Sequence, residues 1–160
     1  MTAEVSNILA QLAVLQREVV DPQSGHPLVA YDNVPYIINT ADAPLFVNFA
    51  GALVKNEFSG SDERAREFNE VRNYKMNLYH SVFATGVEGE KAGLLTPFFA
   101  LIYAKFGSYP HLKNLGGVLD ARLIADSGMV TLEFAGHSWF GISFTLQVIA
   151  RTRRLLAEDE

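Results

Sequence analysis

Between Ala3 and Val19 the apolar residues Val5, Ile8, Leu9, Leu12, Leu15 and Val19 recur at steps of three and four, with Glu4, Asn7, Gln11 and Arg17 between them. That spacing predicts an amphipathic helix. It should stop at Asp21-Pro22, because the residue before a proline is pushed out of helical conformations. Pro27, Pro35 and Pro44 keep residues 20–44 extended or turning, and Leu45 to Phe49 then reads as a strand. From Val71 to Phe83 the pattern alternates. Tyr74, Met76, Leu78, His80 and Val82 fall on one side, and Asn73, Lys75, Asn77, Tyr79 and Ser81 on the other, as a half-buried strand requires.

Residues 88–106 return to helical spacing through Leu95, Phe98, Phe99, Ile102 and Phe106, and open with Glu88 and Glu90, which suit the positive end of a helix. Pro97 should kink this helix or mark its true first turn. After a link from Gly107 to Gly117, Val130, Leu132 and Phe134 alternate with polar neighbours. Phe140, Ile142, Phe144, Leu146, Val148 and Ala150 do the same, and the short connection Ala135 to Ser138 makes the two runs an antiparallel hairpin. The expected order is helix, strand, strand, helix, strand, strand. An antiparallel sheet with both helices packed on one face, an α+β fold, would bury these stripes.

Two segments lack a clear period. Residues 51–69 combine turn-like Ser59-Gly60-Ser61 with the charged run Asp62 to Glu67, and are expected to form a long loop. Such loops are commonly functional, and this one carries Phe58 among charges. Phe58, Arg64 and Arg66 are therefore expected to contact a neighbouring subunit or other partner. The tail 151–160 runs from basic to acidic and is expected to be ordered only in part.

Composition narrows the picture. With 160 residues, 49% of them hydrophobic, the chain has the size of one domain with a real core, residues 1–160. The net charge of −5 and the scattered basic residues disfavour a grip on DNA phosphates. No cysteine is present, which excludes disulfides, thiolate metal sites and a cysteine nucleophile. The apolar run Leu94 to Phe106 is too short to span a bilayer. The start Met1-Thr2-Ala3-Glu4 lacks the basic region of a signal peptide, so the expected location is cytoplasmic.

Candidate chemistry is sparse. His26, His80, His111 and His137 are far apart and form no metal-binding motif, and His80 lies in register with the apolar face of its strand. The stretch Gly86 to Gly93 resembles a phosphate loop only superficially, since Glu90 precedes Lys91 and Ala92 follows it. Asp42, Asp120, Asp126 and Glu133 lie beside turns or on outward strand faces, where carboxylates meet water. No catalytic residue, cofactor or metal is expected.

The order of motifs points to a family. The stretch Tyr31, Pro35 and Asn39-Thr40-Ala41-Asp42-Ala43-Pro44, placed after one N-terminal helix, resembles the segment before the first strand in tail-terminator proteins of long-tailed bacteriophages. The run Asp126-Ser127-Gly128, Leu132 to Gly136 and Phe140 to Val148 resembles the closing hairpin of that family. Tyr31, Pro35, Asp42, Pro44, Gly136 and Gly141 are the motif positions. The resemblance implies a structural subunit that assembles with itself into a ring, expected to be a hexamer. Such a ring caps the tube of major tail protein, offers a surface to the head-side connector, and lets DNA pass through its lumen without sequence-specific binding. It would be assembled in the host cytoplasm and reside at the head–tail junction of the virion. The alternatives are another neck component, or a small enzyme or ligand-binding domain with a site between helix 88–106 and the sheet.

Overall fold

The computed structural model describes residues 1–157 and is an α+β fold, two helices on one five-stranded sheet. In chain order these are α1 (Val5–Arg17), β1 (Val29–Ala30), a 3-10 turn (Thr40–Asp42), β2 (Leu45–Ser61), β3 (Ala65–Val82), α2 (Glu88–Gly107), β4 (Val118–Phe134) and β5 (His137–Leu155). The sheet order is β1-β2-β3-β5-β4. The four long strands pair antiparallel, but β1 runs parallel to β2, with Val29 beside Leu45 and Ala30 beside Phe46. The sheet is therefore mixed rather than wholly antiparallel. The crossover through residues 31–44 returns the chain to the end from which β1 began, as a parallel pair requires.

Opposed residues of an antiparallel pair share a face, so the register defines two sides of the sheet. On one side lie Tyr74, Met76 and Leu78 of β3 and Phe140, Ile142, Phe144, Leu146, Val148 and Ala150 of β5. All are buried in one cluster with Ile8, Leu12 and Leu15 of α1 and Leu95, Phe98, Ile102 and Phe106 of α2. This is the helix side, and its residues on β3 and β5 are those the alternation indicated, except Val82, which the irregularity between Tyr79 and Ser81 places opposite Trp139 and leaves exposed. One polar pair sits inside it. Gln16 of α1, fully buried, exchanges amide hydrogen bonds of 2.7 and 2.8 Å with Asn48 of β2. Each side chain satisfies the other, so burial leaves neither amide unpaired.

The opposite side is open over most of its area. At one end Leu45, Val47, Tyr79 and Trp139 form a second cluster, covered by Tyr31, Ile38 and Ala43 of the 31–44 segment. Further along, that side turns polar, with Lys75 donating to Thr145 at 2.6 Å and Gln147 to Asn73 at 3.3 Å. Thr145 is nevertheless buried, so the two faces of β5 differ in chemistry more than in exposure.

Three expectations need correction, and that for the tail becomes specific. Residues 51–69 are not a loop: β2 continues to Ser61, β3 begins at Ala65, and only residues 62–64 turn. Register shifts between Ala50 and Leu53, Leu53 and Lys55, and Phe58 and Gly60 slip the phase of alternation, which is why no period shows. The tail is strand as far as Leu155, pairing with β3 from Ala65 onward, while residues 158–160 lie outside the described residues. The closing hairpin starts at Val118 rather than Val130, because shifts at Leu119, Ile124 and Ser127-Gly128 interrupt the pattern of β4. Pro97 lies mid-helix and does not begin α2, since the buried stripe Leu95, Phe98 and Ile102 continues past it.

Candidate functional site

Beyond the helices, the far halves of β2 and β3 and the end of β5 continue as a three-stranded arm. Its tip is set by Asp62, whose carboxylate accepts from the backbone N–H groups of Arg64 and Ala65, both at 2.8 Å. Those bonds hold the Asp62 carboxyl below its usual pKa, and Arg153 reaches across from β5 to the same carboxylate at 3.1 Å. The backbone closes the turn with Asp62 N–H donating to the Ala65 carbonyl at 3.0 Å. An aspartate at the start of a charged run thus makes a hairpin tip by capping two backbone donors.

On the helix side of the arm Phe58 lies opposite Phe68, their rings edge to face at 6.0 Å, and the Arg154 guanidinium stacks 5.5 Å above Phe68. Phe58 is still 62% exposed. Arg66 shares this face, in register with Ser61 and Arg154, and Arg64 sits in the turn. The structure therefore puts Phe58 and Arg66 on one face, with Arg64 in the adjoining turn, as strand and turn residues rather than as a long loop. Phe68, Thr152 and Arg154 complete the surface and were not singled out by the sequence, since their strands are amphipathic by charge rather than by hydrophobicity. Thr152 Oγ1 and, on the open side, Asn69 Oδ1 are buried without a hydrogen-bond partner among the described residues.

The other motif positions lie at the opposite end of the sheet, about 40 Å away along β3 at ~3.3 Å per residue. Tyr31 packs on the second cluster, where burial and the nearby Asp42 carboxylate push its hydroxyl pKa up. Pro35 is half-buried, and Pro44 follows a cis bond from Ala43. Asp42 is exposed in the 3-10 turn, but the turn is capped by Asn39, whose Oδ1 accepts from Ala41 N–H at 2.9 Å. Ala135 and Gly136, at φ 49° and 80°, make the two-residue turn of the β4–β5 hairpin. Gly141 allows β3 to approach, since a Cβ there would lie 2.1 Å from the Leu78 carbonyl oxygen.

The groups weighed for chemistry are occupied locally. His80 is buried against Phe98, its Nδ1 lies 3.1 Å from Ser81 Oγ, and burial holds its pKa below the usual value, Lys91 adding to the effect and Asp21 opposing it. Glu88 accepts from the Gly86 N–H at the start of α2, and Asp126 accepts from Tyr103 Oη at 3.0 Å and from Gly128 N–H. A groove of about 370 Å³ between the C-terminal ends of α1 and α2 is lined by Glu18, Leu101, Lys105 and Tyr109 among others. Its charges answer one another: Lys113 and Lys105 both bridge to Glu18 and hold its pKa down. Among the described residues no group of three or more His, Asp and Glu side chains is placed to hold a metal ion, and no helix is long and apolar enough to cross a membrane.

Charge is distributed unevenly between arm and body. Residues 51–69 and 151–157, beyond the pairing of β5 with β4, carry six basic and four acidic side chains, whereas the rest of the described chain carries seven basic and eleven acidic. A net +2 arm thus projects from a net −4 body. Compared with known proteins, the chain matches no protein-family model and no curated sequence.

Proposed function

We propose that this chain is a structural ring subunit, a tail terminator of a long-tailed bacteriophage, which caps the tail tube, stops its growth and presents a surface to the head-side connector. The observation that carries the self-assembling part of this reading is the arm. It holds an exposed aromatic side chain and surplus positive charge beyond the reach of its own helices, while the body holds the surplus of negative charge. A surface of one kind at one end and of the other kind elsewhere favours head-to-tail contact between copies, the geometry that closes rings. The tail-specific part rests on the resemblance of the 31–44 segment and the closing hairpin. An acidic body also suits a lumen through which DNA slides without being held.

The test is assembly. Six copies of 17.7 kDa give 106.2 kDa. Light scattering and electron microscopy of the purified protein, alone and with tail tubes, should show a ring of that mass, seated on tube ends when tubes are present. A chain that stays monomeric in both conditions would refute the ring. Rings that ignore tube ends but bind portal-side particles would instead favour another neck component.

A further inference from the structure

The two free edges of the sheet differ in a way that suggests how copies would meet. Among the described residues, the outer side of β2 is unpaired beyond its short pairing with β1, and so is that of β4. Both edge strands carry three register shifts, and these interrupt the backbone ladder that an added strand would need. Along the shifted stretches, Ala50 to Gly60 of β2 and Val118 to Met129 of β4, side chains rather than a regular backbone ladder offer the contact. On β4 the shift between Leu123 and Ala125 leaves Ile124 outside the pairing, 46% exposed, and nearby Tyr103 of α2 is held by Asp126 on the helix side. On the arm, the exposed Phe58 lies against Phe68 on β3, and Arg66 and its β5 partner Arg154, stacked on Phe68, place two cations on the same face toward the tip.

We infer that the helix-side face of the arm docks on the Tyr103–Ile124–Asp126 surface of a second copy of this chain. This deepens the self-assembling reading proposed above and rests on it. Charge complementarity selects the occupant, since the arm is net positive and the body that bears Tyr103, Ile124 and Asp126 is net negative. Phe58 packs against Tyr103 and Ile124, while Arg66 and Arg154 face the Asp126 carboxylate. An aromatic anchor flanked by arginines is the composition that concentrates binding energy in an interface. The arm and its receiving surface are different parts of the molecule, so the contact is heterologous and each copy keeps one free arm and one free receiver until the ring closes.

The absence of cysteine makes a direct experiment clean. The double variant Phe58→Cys with Ile124→Cys introduces two exposed thiols. β2 and β4 are separated by two strands, about 14 Å at the spacing of a sheet, whereas a disulfide needs Cα atoms within roughly 7 Å, so the pair cannot close within one chain. Mild oxidation, with and without tail tubes, should give a non-reducing ladder that passes dimer and trimer and ends at the closed ring. Phe58→Cys with Val14→Cys, on the outer surface of α1, should give no such ladder. Unchanged thermal melting of both variants shows that the fold is retained.

A dimer without higher species would mean a self-complementary contact and overturn the proposal. So would protection of the Phe58→Cys thiol by tubes without any ladder, which would make the tube the partner of the arm. No ladder from a double variant whose reduced form still assembles into rings would overturn this docking site but leave the ring reading standing. A full ladder from a protein that leaves tail tubes uncapped would uphold the docking and refute the tail-terminator reading.

Discussion

The body and the arm are made of the same three strands, β2, β3 and β5, yet only one of them has a second layer. Over the body, Phe144, Leu146, Met76 and Leu78 are buried beneath α1 and α2. Over the arm the strands continue with unbroken β3–β5 pairing, but Phe58 stays exposed and the contacts are an aromatic pair, a cation over a ring, and ion pairs such as Arg153 with Asp62 at 3.1 Å. Backbone pairing can thus carry a sheet well past its core. What it cannot supply there is the removal of apolar surface from water, the main favourable term in folding.

The sharpest test of this difference compares two phenylalanines. Phe144→Ala, which empties a site between the helices and the sheet, should cost about 3–5 kcal/mol, whereas Phe58→Ala should cost less than about 1 kcal/mol and weaken assembly instead. Urea unfolding and light scattering of each variant give the two readouts. Equal stability losses would make the arm part of the cooperative core and break the comparison.

A smaller effect belongs to the polar pair inside the body. Gln16→Ala leaves the buried Asn48 amide without its partner and should cost about 1–3 kcal/mol, while Gln16→Leu combined with Asn48→Leu should recover much of that loss. A double-mutant cycle by thermal unfolding measures the coupling, and additive losses would mean that the pair is not what joins α1 to β2.

The pH dependence should also come from the body. The pKa of His80 is lowered in the folded chain from the usual 6.5, chiefly by burial, so between the two values the unfolded chain binds more protons. Its contribution to stability is therefore intact above 6.5, falls as pH drops toward the folded value, and levels off below it. Melting temperature should fall between pH 7.5 and pH 5, and His80→Gln should flatten that slope. An unchanged slope in the variant would place the titration elsewhere.

The smallest expected change is on the arm. Lys55 bridges Glu57 at 2.6 Å with both side chains more than half exposed, so Lys55→Ala should alter stability by no more than about 0.5 kcal/mol in a denaturant titration. A larger loss would show that ion pairs do on the arm what burial does in the body.

How far the sequence was legible follows the same division. The helices were found because one side of each is buried, and β3 from Tyr74 to Leu78 and β5 from Phe140 to Ala150 because their helix-side residues are apolar. The arm carries no strand signal in the sequence because its faces differ in charge, with Lys55, Glu57 and Glu67 on one side and Arg66 and Arg154 on the other, and because bulges shift the phase of β2. Phe58, Arg64 and Arg66 are legible in the sequence as an aromatic among charges. Thr152 and Arg154, more than 80 positions later, had no local signal to connect them.

By itself, then, the order of residues determined the two helices, the inward face of the central strands and the tight turn at Ala135-Gly136, since each depends on neighbours within a few positions. Only the tertiary structure decided that β2 and β3 reach out to Ser61 and Ala65, that β1 joins parallel, that residues 31–44 cover the second cluster, and that Gln16 meets Asn48. Those outcomes rest on backbone hydrogen bonds, which are alike for every residue, and on contacts between positions far apart in the chain, so periodicity carries no trace of them.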